Sequence, residues 1–151
     1  VDIDELWREL LESYRISIER KGLRVRCQGE SLCWPADAAK LRTVLDNLLS
    51  NAVSYCPDGG EILIRWRERE GLFDCQVANS GQSIPQQEYQ QIFEPFFQGK
   101  NSRSGAIKGS GIGLSVAREC THAHQGALEL STDGPLAVCF SLKLPRLETD
   151  S

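Results

Sequence analysis

The sequence predicts an α/β (α+β) two-layer sandwich, in which a mixed, mostly antiparallel sheet of about five strands is covered on one face by three main helices. Two observations carry this expectation. Apolar and polar residues alternate through Glu61 to Arg69, Leu72 to Ala78 and Leu136 to Leu144. That is the period of strands with one wet face, so helices should cover only the other. In Ile3 to Ile18 and Leu41 to Val53 the apolar residues instead recur at spacings of three and four, the period of a helix stripe.

Taken in order, Ile3, Leu6, Trp7, Leu10, Leu11, Tyr14 and Ile18 make the stripe of a first helix ending near Lys21-Gly22. A short strand around Leu23 to Cys27 follows, then a strand fragment near Leu32 to Trp34. The second helix runs from a capping Asp37 to about Tyr55, carries Leu41, Val44, Leu45, Leu48, Ala52 and Val53, and is stopped by Pro57 and Gly59-Gly60. Ile62, Ile64 and Trp66 then alternate with Leu63, Arg65 and Arg67, and Phe73, Cys75 and Val77 continue the pattern. The Glu70-Gly71 break joins those two strands as a hairpin. Gln86 to Phe93 reads as a short helix and Gly111 to about His124 as a longer one. Ala127 to Ser131 and Leu136 to Leu144 close the sheet across Asp133-Gly134, the latter alternating Leu136, Val138, Phe140, Leu142 and Leu144.

With 151 residues, 40% hydrophobic and 25% charged, the chain is long enough for one domain with its own core, read here as 1–147 with a frayed tail at 148–151. A net charge of -4 argues against broad nucleic-acid binding. No run of about 18 apolar residues and no signal-peptide pattern is present. The chain contains no methionine, not even an initiator, which suggests a part of a longer protein. Its six cysteines are scattered singly, so reduced thiols are expected. Cys120 and His124 share a helix face while His122 points away, which favours ordinary helix-end residues over a metal site.

Within the second helix, Asn47 and Asn51 interrupt a stripe that would otherwise be apolar, and spacing by four stacks them with Tyr55 along one side. An amide oxygen on a rigid helix is a hard neutral ligand suited to Mg²⁺, which takes its other ligands from water and phosphates. Two locally satisfied asparagines beside a packed tyrosine would give the same pattern. The stretch from Gln98 to Gly111 holds one large apolar residue, Ile107, and Lys100, Arg103 and Lys108 with no acid. It runs into Gly111-Ile112-Gly113-Leu114 at a helix start, where free N–H groups and the helix dipole favour an anion. A polyphosphate fits such a site, although helix-leading flexibility explains the glycines equally well. No strand precedes them as a dinucleotide fold would need, and the Walker and protein-kinase signatures are absent.

Asn47 to Asn51, then Val77-Ala78-Asn79-Ser80-Gly81-Gln82-Ser83-Ile84-Pro85, then Phe93-Glu94-Pro95-Phe96-Phe97, then Gly109-Ser110-Gly111-Ile112-Gly113-Leu114 resemble the N, G1, F and G2 boxes of bacterial sensor histidine kinases. The resemblance covers nearly the whole chain, and four ordered motifs are far more specific than one. The lid entry and the Gly105 to Leu114 stretch look most like the envelope-stress and quorum-sensing sensor kinases of Gram-negative bacteria. The resemblance implies a Bergerat-type ATP-binding fold with ATP and Mg²⁺ as cofactors. Asn51 then matches the asparagine that ligates Mg²⁺, and Asn47 its partner one turn earlier. Tyr55 and Ile84 match residues beside the adenine, and Asn79 and Gly81 the adenine-side motif. Phe93, Phe96 and Phe97 match aromatics that dock the ATP lid, although a small core cluster would look the same. Gly109, Gly111, Ile112, Gly113 and Leu114 match the phosphate side, with Lys100, Arg103 and Lys108 as lid cations. Asn47, Arg103 and Lys108 are the residues expected to serve phosphoryl transfer.

The family usually carries aspartate where this chain has Asn79, glycine where it has Ser83, and often a phosphate-contacting lysine where it has Ser54. A neutral amide accepts a weaker hydrogen bond than a carboxylate and can also donate. Weaker ATP affinity and poorer discrimination against GTP are therefore expected. The resemblance further implies phosphoryl transfer to a histidine on a separate dimerisation domain and on to a response regulator. It also implies a monomeric fragment of a homodimeric parent, and a cytoplasmic domain of an inner-membrane sensor. Neither His122 nor His124 has the following acid of an acceptor site, so the chain should bind ATP without phosphorylating itself. Two rivals share the motifs: an ATPase clamp of the gyrase and Hsp90 type, which needs a glutamate base where Asn47 stands, and a degenerate domain used only for protein contacts.

Overall fold

The computed structural model describes residues 1–94, 113–131 and 134–147. In chain order they form α1 (Ile3–Ser13), α2 (Arg15–Lys21), β1 (Arg24–Gly29), α3 (Ala38–Tyr55), β2 (Glu61–Arg69), β3 (Leu72–Asn79), α4 (Gly113–Ala123), β4 (Ala127–Leu130) and β5 (Val138–Leu144). The strands form one five-stranded sheet in the order β1-β2-β3-β5-β4, antiparallel except for β1 beside β2. The parallel pair aligns Arg24 with Glu61, and α3 lies in the crossover between them.

The predicted alternation decides which face is covered. Ile62, Ile64 and Trp66 of β2, Phe73, Cys75 and Val77 of β3, and Val138, Phe140, Leu142 and Leu144 of β5 are buried in one core with α1, α3 and α4. The other face carries Arg65, Arg67, Asp74, Gln76, Glu129, Ser141 and Lys143, with a small apolar patch of Leu63, Ala78 and Cys139 at one end. Helix α3 supplies Leu41, Val44, Leu45, Leu48, Leu49, Ala52 and Val53 to the core.

Several boundaries differ from the expectation. The first helix is two, because Tyr14 leaves helical geometry at φ -104° and ψ 8°. The break lets the Tyr14 hydroxyl donate to Asp46 on α3 at 2.8 Å. Burial, and then that bond to the carboxylate, push the Tyr14 hydroxyl above its ordinary pKa. Between Leu32 and Trp34 only a single bridge forms, Cys33 to Asp2. Gln86 to Phe93 is two 3₁₀ turns, Gln86–Glu88 and Gln91–Phe93, a stretch too short to repay the nucleation of an α-helix. Residues 111–112, 133 and the expected tail at 148–151 lie outside the described residues.

The ends of α3 are fastened from a distance. Asp37 caps the first turn, accepting from the Lys40 N–H at 3.0 Å, and that contact holds its carboxyl below the usual range. The Asp37 N–H itself donates to Nε2 of the buried His124, whose Nδ1 faces the Cys120 carbonyl, both at 3.0 Å. His124 thus clips the end of α4 to the start of α3 and has neither ring nitrogen left for a metal. At the other end Lys21 Nζ donates to the Val53 and Ser54 carbonyls at 2.7 and 3.2 Å, where a cation also meets the negative end of the helix dipole. His124→Ala leaves the Asp37 N–H unpartnered, and a loss of about 1–3 kcal/mol in urea-unfolding free energy is expected. An unchanged unfolding midpoint would mean that the clip carries no stability.

Candidate functional site

The half-buried side of α3 that carries Asn47 and Asn51 is bounded at both ends by glycine-bearing segments. Asn47 and Asn51 are half-buried, so neither is sealed in the core nor freely solvated. At the N-terminus of α4, a Cβ added to Gly113 would lie 3.2 Å from Asn47 Oδ1. That approach brings the helix start within reach of the amide, and Gly113 permits it because it has no side chain. Leu114, the next residue, packs against the core, as does Ile84 beyond β3.

At the other end stands Asn79, the last residue of β3, only 1% exposed. Its Nδ2 donates to the Ser80 carbonyl at 2.9 Å, while its Oδ1 is buried with no hydrogen-bond partner among the described residues. Turning the amide over would set oxygen against oxygen at Ser80, so the observed orientation is the one the backbone enforces. A buried acceptor left open costs about 1–3 kcal/mol, and a ligand N–H would recover it. Ser80 is fixed in turn: its N–H donates to the Glu61 carbonyl at 3.0 Å, and its hydroxyl accepts from the Glu61 N–H at 2.8 Å. Gly81 follows at φ 134°, where a Cβ would sit 3.4 Å from the Tyr55 carbonyl and from Pro57 Cδ. The half-buried Tyr55, the last residue of α3, therefore borders the same end of the site.

Phe93 is buried edge-on against Phe140, with ring centroids 6.0 Å apart. The Arg118 guanidinium of α4 lies 4.7 Å over its ring and donates to Gln90 at 3.4 Å, tying the 3₁₀ turns to α4. Of the predicted site, Lys100, Arg103, Lys108, Gly109, Gly111 and Ile112, together with Phe96 and Phe97, lie outside the described residues. Asn47, Asn51, Tyr55, Asn79, Gly81, Ile84, Gly113 and Leu114 lie within them. The motif reading missed Ser80, Lys21 and Arg118. Each acts through a backbone carbonyl or a ring supplied by a distant segment, and residue type alone does not announce that. Among the described residues no group of three or more His, Cys, Asp or Glu side chains is drawn together.

Residues 36–148 match the family profile described as "Histidine kinase-, DNA gyrase B-, and HSP90-like ATPase". The chain is 38% identical over 145 residues to the sensor histidine kinase GlrK of Escherichia coli K12, covering 96% of this chain and 30% of that protein. It is 31% identical over 148 residues to the sensor-like histidine kinase SenX3 of Mycobacterium tuberculosis H37Rv, covering 97% and 36%. It therefore spans about a third of the length of these relatives. Among solved structures it superposes on the nucleotide-free catalytic domain of histidine kinase ThkA with a TM-score of 0.84 at 28% identity, covering 97% of this chain and 93% of that one. It also superposes on ThkA in complex with the response regulator protein TrrA, with a TM-score of 0.81 at 25% identity, covering 97% and 41%.

The backbone at Gly81 yields a direct test. Alanine at a φ of 134° is strained by about 1–3 kcal/mol, so Gly81→Ala should lower the urea midpoint with an unchanged denaturant slope. A midpoint equal to that of the native chain would show that the turn relaxes without cost.

Proposed function

The chain belongs to the histidine kinase-, DNA gyrase B- and HSP90-like ATPase family, and on that premise we propose that residues 1–147 form the ATP-binding catalytic domain of a sensor histidine kinase. In the whole protein it would present the γ-phosphoryl group of Mg-ATP to a histidine on a separate dimerisation domain, for onward transfer to a response regulator. The observation that carries this reading is the Asn79 Oδ1, a buried acceptor with no hydrogen-bond partner among the described residues, at a strand end that Gly81 brings against Tyr55, the last residue of the helix carrying Asn47 and Asn51. An adenine exocyclic amine is the donor that fits it.

The residues divide the work by chemistry. Asn51 offers an amide oxygen as one Mg²⁺ ligand, and Asn47 stands one turn earlier toward the start of α4. Bound Mg-ATP supplies the transferable phosphoryl group and the cation that offsets its charge. Gly109, Gly111 and Gly113 would let backbone N–H groups approach the phosphates, with Ile112 and Leu114 beside them. Lys100, Arg103 and Lys108 would neutralise what the cation does not. Tyr55, Gly81 and Ile84 would enclose the base. A carboxamide cannot take a proton from water, so Asn47 removes the general base that a clamp ATPase needs. Among the described residues no helix is long and apolar enough to cross a membrane. We place the domain on the cytoplasmic side of a membrane-anchored, homodimeric parent.

The lock on Asn79 modifies one expectation from the sequence. A neutral acceptor still weakens ATP binding relative to aspartate, but with the nitrogen end held by Ser80 the guanine carbonyl would meet oxygen rather than N–H. Preference for ATP over GTP is therefore retained. Calorimetry should show ATP binding weakened roughly tenfold by Asn79→Ala, with ATP favoured over GTP both in the native chain and in Asn79→Asp. Tighter GTP than ATP in the native chain would refute the lock. Binding should also require Mg²⁺ and fall at least about tenfold in Asn51→Ala. The isolated chain should show no self-phosphorylation, and should label the histidine domain of its parent when the two are mixed. Rapid steady hydrolysis without that acceptor would instead identify a clamp, and no binding at millimolar ATP a degenerate domain.

A further inference from the structure

The sheet face turned away from the helices holds a groove of about 480 Å³ lined by Arg65, Arg67, Arg69, Lys143, Asp74 and Glu129. Cations prevail there although the chain as a whole carries -4. Strand register sets the pattern: Arg67, Asp74 and Lys143 are direct cross-strand neighbours, and the next row begins with Arg65, hydrogen-bonded to Gln76. The Asp74 side chain is 11% exposed. Its Oδ2 lies 3.7 Å from Arg67 Nε, and its Oδ1 is buried with no hydrogen-bond partner among the described residues. The groove therefore offers surplus positive charge at its walls and, at its floor, a buried acceptor with no partner among the described residues.

We propose that this groove docks an extended acidic segment of a partner protein. Arg65, Arg67 and Arg69 stand on alternate residues of one strand, about 7 Å apart, the spacing at which an extended peptide presents its own alternate side chains. Carboxylates at those positions would meet the guanidinium groups, and a backbone N–H would satisfy Asp74 Oδ1. A phosphate or lipid headgroup can answer the cations, but it brings further acceptors against Asp74 and Glu129. A peptide brings donors and acids together. The groove lies on the opposite sheet face from Asn79, so its occupant and a nucleotide would not exclude each other, and the proposal stands independently of the nucleotide reading.

The test is fluorescence anisotropy on the 151-residue chain with a labelled peptide of about ten residues alternating glutamate and serine. Saturable binding is expected, weakened at least about tenfold by the double charge reversal Arg69→Glu and Lys143→Glu, both solvent-exposed sites. Asp74→Ala separates a docking site from simple attraction. Removing a carboxylate should tighten a purely coulombic complex, whereas here it should weaken binding because the peptide N–H loses its acceptor. Urea midpoints of the variants check that each is folded. The proposal fails if no peptide binding appears at millimolar concentration, if Asp74→Ala tightens it, or if anionic vesicles or a single-stranded oligonucleotide bind more strongly than the peptide.

Discussion

Helix α3 is held at both ends by side chains from elements far away in sequence, His124 at its first turn and Lys21 at its last. Between them seven apolar residues press it onto the sheet and α4. Its remaining side carries the two asparagines, and a carboxamide can serve as a metal or phosphate partner only if its backbone does not move when the ligand arrives. Fastening by hydrogen bonds to backbone groups fixes the helix along its axis, a restraint that side-chain packing alone supplies weakly. The Tyr14 hydroxyl on Asp46 adds a third point, one residue from Asn47.

The same economy governs the Asn79 end of the site. Asn79 is buried and Ser80 is tied twice to Glu61, so the orientation of one amide is decided by a backbone carbonyl rather than by the ligand. A carboxylate at this position would be symmetric and need no such control. With an amide, the chain keeps an acceptor only because its other half is occupied. The substitution is chemically conservative here for a reason that lies in the neighbouring residue.

Much of this was legible from residue pattern. The period of α3, its Asp37 cap and its stop at Pro57 were read correctly, because one buried face against one wet face dictates both composition and spacing. The alternation of β2, β3 and β5 likewise announced a sheet covered on one side. The break at Tyr14 was not legible, since it answers to Asp46, 32 residues away. Nor were the roles of Lys21 and His124, which bind backbone carbonyl and N–H groups that any residue could have supplied. Asn79 and Gly81 stood out by motif. The direction in which the Asn79 amide points needed the coordinates of Ser80.

The single parallel pairing in the sheet has a consequence for how the molecule assembles. The β2-β3 hairpin turns over Glu70-Gly71 and can close locally, whereas β1 meets β2 only after the chain has traversed α3. Closing that long excursion costs more chain entropy than closing the hairpin, and the cost falls before any ladder bond of the parallel pair rewards it. The asparagine-bearing helix is the bridge over which β1 returns. The helix that carries Asn47 and Asn51 and the parallel sheet edge are therefore parts of one long-range closure, the costlier of the two in chain entropy.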